Sequence, residues 1–302
     1  MGTFFQKDLP CAQREEAAER LYRHGSLSVA TQVAPMTTRK EKILFLYGSQ
    51  TGNSEQAAKD LCKQCATKLT PEIIRKLAAT TCKDDDNNSS KDEIIIIVEP
   101  VHMQLDDFLE LERAAWTRLV VIVVSSYGVG SAPLGAYRFR ELCDAWAAAA
   151  TAEGTMSSTS DNKKLLDGVH FAMCGLGDSK YTTYFQNPAA IDKTLRQVGA
   201  TRVGPLGKAD ASGTGSEAQL DVIDRWMDGI WPHLAQVVSK EPLSTERLQE
   251  MQRTTVALCR KINPDFLPEP RYNPPSMMLL ISIAVSIFAI LAYFLLSQTE
   301  AS

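Results

Sequence analysis

Three short loops hold the residues of this chain whose types and spacing could do chemistry. The first, Gly48-Ser49-Gln50-Thr51-Gly52-Asn53-Ser54, follows five apolar residues, Ile43 to Tyr47, and opens an amphipathic stretch. A strand that turns through glycines and hydroxyls into a helix N-terminus is an anion site. The first helical amides lack intrahelical partners, and the helix dipole favours negative charge. Ser49, Thr51 and Ser54 add hydroxyl donors, while Gly48 and Gly52 let the backbone approach a ligand with no Cβ in the way. The absence of Lys and of GxxxxGK spacing disfavours a nucleoside triphosphate; the absence of GxGxxG disfavours a dinucleotide. The second loop, Ser125-Ser126-Tyr127-Gly128-Val129-Gly130, and the third, Gly175-Leu176-Gly177-Asp178-Ser179 with Tyr181 just beyond, bring two tyrosines able to cover a planar ring.

Each loop needs a strand behind it. Apolar runs at 43–47, 94–98, 119–124 and 169–174 and a shorter one at 200–206 read as five strands. Helical spacing follows at 53–69, 105–115, 134–150, from the third loop to about 198, and at 216–238. Residues 70–92 and 151–166 read as polar inserted loops. Continuous apolar strands alternating with helices predict an α/β fold whose parallel sheet is covered on both faces. In such sheets ligands bind beyond the carboxyl ends of the strands, where strand order reverses. The loops after the first, third and fourth strands, and Asp210 after the fifth, all fall at that edge.

These loops resemble those of the flavodoxin-like FMN domains of diflavin reductases of the NADPH–cytochrome reductase type. The resemblance covers about residues 41–238. It is carried by Tyr47-Gly48-Ser49-Gln50-Thr51-Gly52 with Glu55, by Ser126-Tyr127-Gly128-Val129-Gly130 with Pro133, and by Gly175-Leu176-Gly177-Asp178 with Tyr181. The tRNA wybutosine-synthesising radical enzymes carry a similar domain. The resemblance implies a flavodoxin-like three-layer sandwich with a five-stranded parallel sheet in the order 2-1-3-4-5, and FMN as cofactor. It implies that Ser49, Gln50, Thr51, Gly52, Asn53 and Ser54 hold the FMN phosphate and that Tyr127 and Tyr181 stack on the ring. Ser125, Ser126, Gly128, Leu176, Gly177, Asp178 and Ser179 would meet its polar edge, with Tyr184, Phe185 and Gln186 beside the ribityl chain and Asp210 near the opposite edge of the ring. Tyr127 and Tyr181 also read as aromatics at the edge of a core, and Asp178 and Asp210 as turn carboxylates. Val129 stands where that family has an acidic residue, and Gly135 where it has Asn. Both changes bear on redox potential and partner surface and leave the phosphate loop intact.

Composition narrows the partners. A net charge of −4 argues against nucleic acid. Seven scattered cysteines suit a reducing compartment. Cys62 and Cys65 form a CxxC inside a predicted helix, with no second pair and no nearby His, and read as two thiols rather than a zinc site. Residues 1–40 read as an extension and the proline-bearing 239–276 as a tether. Residues 277–296, MMLLISIAVSIFAILAYFLL, carry no charge and are long enough, at roughly 30 Å, to cross a bilayer as one transmembrane helix, leaving the short tail 297–302. The expected protein is a tail-anchored electron carrier with its FMN domain in the cytosol, at the endoplasmic reticulum in preference to the mitochondrial outer membrane. Its donor would be a separate NAD(P)H/FAD reductase. Its acceptor would be a haem, iron–sulfur or radical enzyme. The alternatives are a quinone-type flavin reductase, a flavodoxin partner of a tRNA-modifying radical enzyme, and a flavin-free interaction module.

Overall fold

Along each central strand apolar residues occupy both faces, so the sheet must be covered twice. The computed structural model, which describes residues 37–81, 94–153 and 164–265, shows how. In chain order the elements are β1 (Thr37–Gly48), α1 (Asn53–Lys68), α2 (Pro71–Thr81), β2 (Ile94–Gln104), α3 (Leu105–Glu110), β3 (Leu119–Ser125) and α4 (Tyr137–Glu153). Then come β4 (His170–Gly177), α5 (Gln186–Gln197), β5 (Thr201–Arg202), β6 (Gly207–Asp210), α6 (Gln219–Val238) and α7 (Thr245–Ile262). All pairings are parallel, in the expected order β2-β1-β3-β4-β5, with β6 also on β4. Ile43, Phe45, Val121, Val123, Ala172 and Cys174 face α1, α2 and α6. Leu44, Leu46, Val120, Ile122, Phe171 and Met173 face α3, α4, α5 and α7.

Several expectations need correction. The fifth strand is two pieces: β5 pairs with His170 and Phe171, and β6 with Cys174 to Gly177. Gly204 (φ 68°) and Pro205, which has no N–H to give a ladder, interrupt it between them. The loop expected at 70–92 begins with a helix, α2, opened by Pro71 at its first position and with Ile74 buried. The helix expected over 105–115 stops at Glu110; Arg113 and Ala114 take positive φ and turn the chain into β3. The tether expected at 239–276 contains α7, and the extension expected at 1–40 gives its last residues to β1. The remaining expectations for 1–36, 82–93, 154–163 and 266–302, including the transmembrane helix at 277–296, lie outside the described residues. Among the described residues no helix is long and apolar enough to cross a membrane.

The folded unit therefore runs past 238, and two arginines make the turn. Arg39 and Arg118 donate to the Val238 and Lys240 carbonyls just past α6, Arg118 at 2.8–3.1 Å, and Arg118 reaches Glu241 as well. A cation at a helix C-terminus satisfies carbonyls that have no helical partner. Arg118 also pairs with the buried Glu41 at 3.0 Å. Ser244 then caps α7, which buries Met251, Thr255 and Cys259, and the Thr255 hydroxyl accepts from the Trp116 indole at 3.1 Å. Arg118→Ala would leave the buried Glu41 carboxylate with only its longer contact to Arg39, at 3.7 Å, and loosen the end of α6. The expected loss is about 3 kcal/mol, read as a lower urea midpoint, with the slope unchanged if the native fold is kept.

Candidate functional site

The carboxyl ends of β1, β3 and β4 open into a cavity of about 520 Å³. From the first loop, Gln50, Thr51 and Asn53 line it. The second contributes Ser125, Ser126, Tyr127 and Gly128, and the third Leu176, Gly177, Asp178 and Tyr181. Loops far apart in sequence thus meet, as the strand order requires. Gly52, in the left-handed region at φ 95°, turns β1 into α1, and its amide donates to the Ser49 hydroxyl at 3.0 Å. No side chain caps α1, so its first amides are left for an anion. Ser54 is 1% exposed, and its hydroxyl has no protein partner. A buried hydroxyl left unpaired at a helix N-terminus fits a ligand oxygen.

Residues 97–224 match the family model for flavodoxin. The chain is 27% identical over 210 residues to an NADPH–cytochrome P450 reductase of Phanerodontia chrysosporium, covering 69% of this chain and 23% of that protein. The chain contains a flavodoxin-like FMN-binding domain. It is also 28% identical over 212 residues to NADPH-dependent diflavin oxidoreductase 1 of Arabidopsis thaliana, 68% of this chain and 26% of that protein. The chain thus spans about a quarter of the length of these relatives. Flavodoxin 1 of Bacillus cereus is similar at a TM-score of 0.37 and 15% identity, over 64% of this chain and 97% of that one. The domain is an electron-transfer unit related to the FMN domains of diflavin reductases, and its cofactor is FMN.

The residues of this site suit FMN. The first loop offers amides, hydroxyls and amide side chains to a phosphate. Tyr127 and Tyr181 line the cavity, 50% and 62% exposed, and supply aromatic rings where a flat ligand could stack. Tyr127 sits in a tight hairpin, exchanging backbone bonds with Ser131 at 3.0 and 2.9 Å. Of the expected site residues, Ser49, Gly52, Ser54 and Ser179 belong to the site's loops but are off the cavity lining, and Phe185 and Asp210 stand elsewhere. Phe185 is 7% exposed and off the cavity lining; its ring fills the space that Gly175 leaves by having no Cβ, under the Lys208 ammonium. Its neighbour Tyr184 lines the cavity instead. Asp210 is off the lining too and braces the third loop, accepting from the Ser179 and Ser212 amides at 2.9 Å each.

Other residues that hold the site went unread in the sequence. Asn187 is fully buried. Its side-chain amide donates to the Ser125 carbonyl at 2.9 Å and its backbone amide to the Ser126 hydroxyl at 3.0 Å, while its Oδ1 accepts from Arg140. It fixes the second loop from behind. An Asn beside Pro188 at the start of a helix reads from sequence as a turn, so only its burial reveals it. Thr183 donates to the Gly128 carbonyl at 3.1 Å, Ser212 donates to the Asp178 carboxylate, and Gln219 reaches the cavity from the start of α6. The Cys62–Cys65 pair lies away from this edge. Cys65 packs into the core, where burial pushes its thiol up to about 12, and burial raises Cys62 as well.

The third loop carries a pH signature. The Ser212 hydroxyl, then the Lys180 amide, hold the Asp178 carboxyl below its ordinary value. Burial pushes Asp210 up, but hydrogen bonds from Ser179 and Ser212 outweigh it, so this carboxyl also sits low. A carboxyl whose folded pKa lies below its unfolded one contributes stability that is complete above the unfolded value and lost as pH falls through the folded value. The loop is therefore fully tied at neutral pH and loosens below about pH 4. FMN release on acid titration, followed by recovery of flavin fluorescence, is expected only in that range. Ser212→Ala removes the main cause of the low Asp178 value, so its release midpoint moves to higher pH.

Proposed function

We propose that this protein is a membrane-anchored electron carrier. Its FMN domain takes electrons from a nicotinamide-dependent, FAD-type reductase and passes them to a haem or iron–sulfur acceptor at the same membrane. The observation that carries this reading is the cavity mouth, where two half-exposed tyrosines stand and, among the described residues, Asp178 is the only carboxylate or cationic side chain in the lining. Bound FMN supplies one- and two-electron redox chemistry. The chain's own residues have other tasks. The first loop binds the phosphate through neutral donors, Tyr127 and Tyr181 orient the ring and keep water from its faces, and Asn187 and the two aspartates hold the loops. Among the described residues the lining offers no His, Cys or Lys for proton transfer or covalent chemistry, which supports a carrier over an enzyme acting on a small substrate.

Kinship with the cytochrome P450 and diflavin reductases supports the reductase donor and the haem acceptor. The apolar stretch 277–296 supports a membrane anchor, with the endoplasmic reticulum as its site and the FMN domain on the cytosolic side. An anchor directly after α7 would separate this domain from anything C-terminal to it by a bilayer, which favours a donor on another polypeptide. Two experiments check the parts separately. Purified with FMN, the protein should oxidise NADPH by itself no faster than free FMN does, and should reduce cytochrome c once an FAD-containing reductase is added. Rapid NADPH-to-quinone turnover by the protein on its own would replace the carrier reading with a quinone reductase. For the anchor, the full chain should stay in the membrane pellet through alkaline carbonate extraction, and deletion of residues 277–302 should move it to the supernatant.

A further inference from the structure

Gln219, the first residue of α6, touches three segments at once. Its side-chain nitrogen lies 3.3 Å from the Gly177 carbonyl at the end of β4 and 3.3 Å from the Ala209 carbonyl in β6. Its side-chain oxygen accepts from the Asn53 side-chain amide at 2.9 Å, at the first residue of α1. Carbonyl oxygens only accept, so the two strand ends dictate which end of the Gln219 amide is the NH₂ group. That leaves Oε1 facing Asn53, and Oε1 in turn accepts only from an N–H. Asn53 must therefore present Nδ2 to Gln219. One of its two Nδ2 hydrogens is then committed to Gln219 and the other is left for a group in the cavity that Asn53 and Gln219 both line.

We propose that Gln219 is a positioning residue that sets the Asn53 side chain as a donor to the FMN phosphate, transmitting the geometry of the sheet edge to the phosphate loop. The inference rests on the FMN reading above. It makes Asn53 a phosphate donor because of a partner 166 residues away, rather than because of its place in the loop. With Gln219 removed, the Asn53 amide is free to rotate and to offer its oxygen, which repels a phosphate. The alternative is a plain brace, in which Gln219 holds the loops together and has no special relation to the phosphate.

Riboflavin, which has the same ring and no phosphate, separates the two. For Gln219→Leu and for Asn53→Ala in the full chain, FMN affinity measured by fluorescence quenching should fall about tenfold, as expected for one hydrogen bond to a charged group. Riboflavin affinity should change by less than about twofold. The double variant should bind FMN no more weakly than either single one, because the two residues act as a unit. Gln219→Glu, nearly the same shape, guards against misfolding: it cannot donate to the two carbonyls and adds negative charge, so it should also weaken FMN while sparing riboflavin. Equal losses for FMN and riboflavin, or additive losses in the double variant, would overturn the assignment and leave Gln219 a brace. If the wild-type chain binds no FMN, the cofactor reading fails and this inference with it.

Discussion

The site depends on one constraint, the position of β1 between β2 and β3 in a parallel sheet. Parallel neighbours need crossover connections of fixed hand, so a strand with successors on opposite sides sends its helices to opposite faces. That is what happens: α1 packs with Ile43 and Phe45 on one face and α3 with Leu44 and Leu46 on the other. The two chains part at the carboxyl ends of β1 and β3, and the gap is the cavity. Its width is set by close approach. A Cβ on Gly48 would lie 2.5 Å from the Ala136 Cβ and 3.2 Å from Pro133, so the first and second loops meet only because residue 48 is glycine. The Ser49 amide then donates to the Leu134 carbonyl at 3.1 Å and locks them.

From that gap outward, the second and third loops are braced by residues off the cavity lining. Asn187 holds the second loop from α5. Asp210 and Ser212 hold the third from the end of β6. The ties run from later elements to earlier ones, so the cavity takes shape only when the whole sheet has formed. This fits the split of the fifth strand. With β5 paired to the start of β4 and β6 to its end, the break at Gly204 and Pro205 lets β6 reach Gly177 and set Asp210 beside Ser179.

What the sequence made legible followed from burial on both faces. Ile43 to Tyr47, Leu119 to Val124 and Val169 to Cys174 are continuous apolar runs because they are central strands, and their order and loops could be read from that. The turn from β1 into α1 was legible too, since glycines and hydroxyls after an apolar run mark a helix start, and Gln50, Thr51 and Asn53 of that turn do line the cavity. What escaped was of two kinds. The first was amphipathic helices set beside prolines and polar runs. In α7, Leu248, Met251, Thr255, Val256, Cys259 and Ile262 do recur at helical spacing, with Ser244 as cap and Pro264 just after the end, but the mostly polar run and its flanking prolines read as a tether. The second was residues that serve the site from a distance. Phe185 was placed at the cofactor by proximity in sequence to Tyr181, yet its left-handed backbone (φ 64°) turns it under β4 and turns Tyr184 to the cavity. Gln219 and Asn187 carry no motif, because a hydrogen bond across the fold leaves no local spacing to read.

The neutral first loop has a consequence for how the domain waits for its cofactor. A cradle built from Lys or Arg would hold like charges close together whenever the phosphate is absent, and their repulsion would open it. Here no cationic side chain among the described residues lines the cavity, and the donors are amides, hydroxyls and the positive end of α1. Without a ligand these groups are met by water at little cost. The ties among Ser49, Gly52, Leu134, Asn53 and Gln219 need no phosphate to balance them. The loop can therefore keep the shape of the bound state before FMN arrives, and less of the binding energy goes into ordering it. The same neutrality makes orientation matter more. With no full charge to attract the phosphate from any angle, affinity rests on each N–H and O–H pointing inward, which is why a side chain as remote in sequence as Gln219 can matter to a loop it does not belong to.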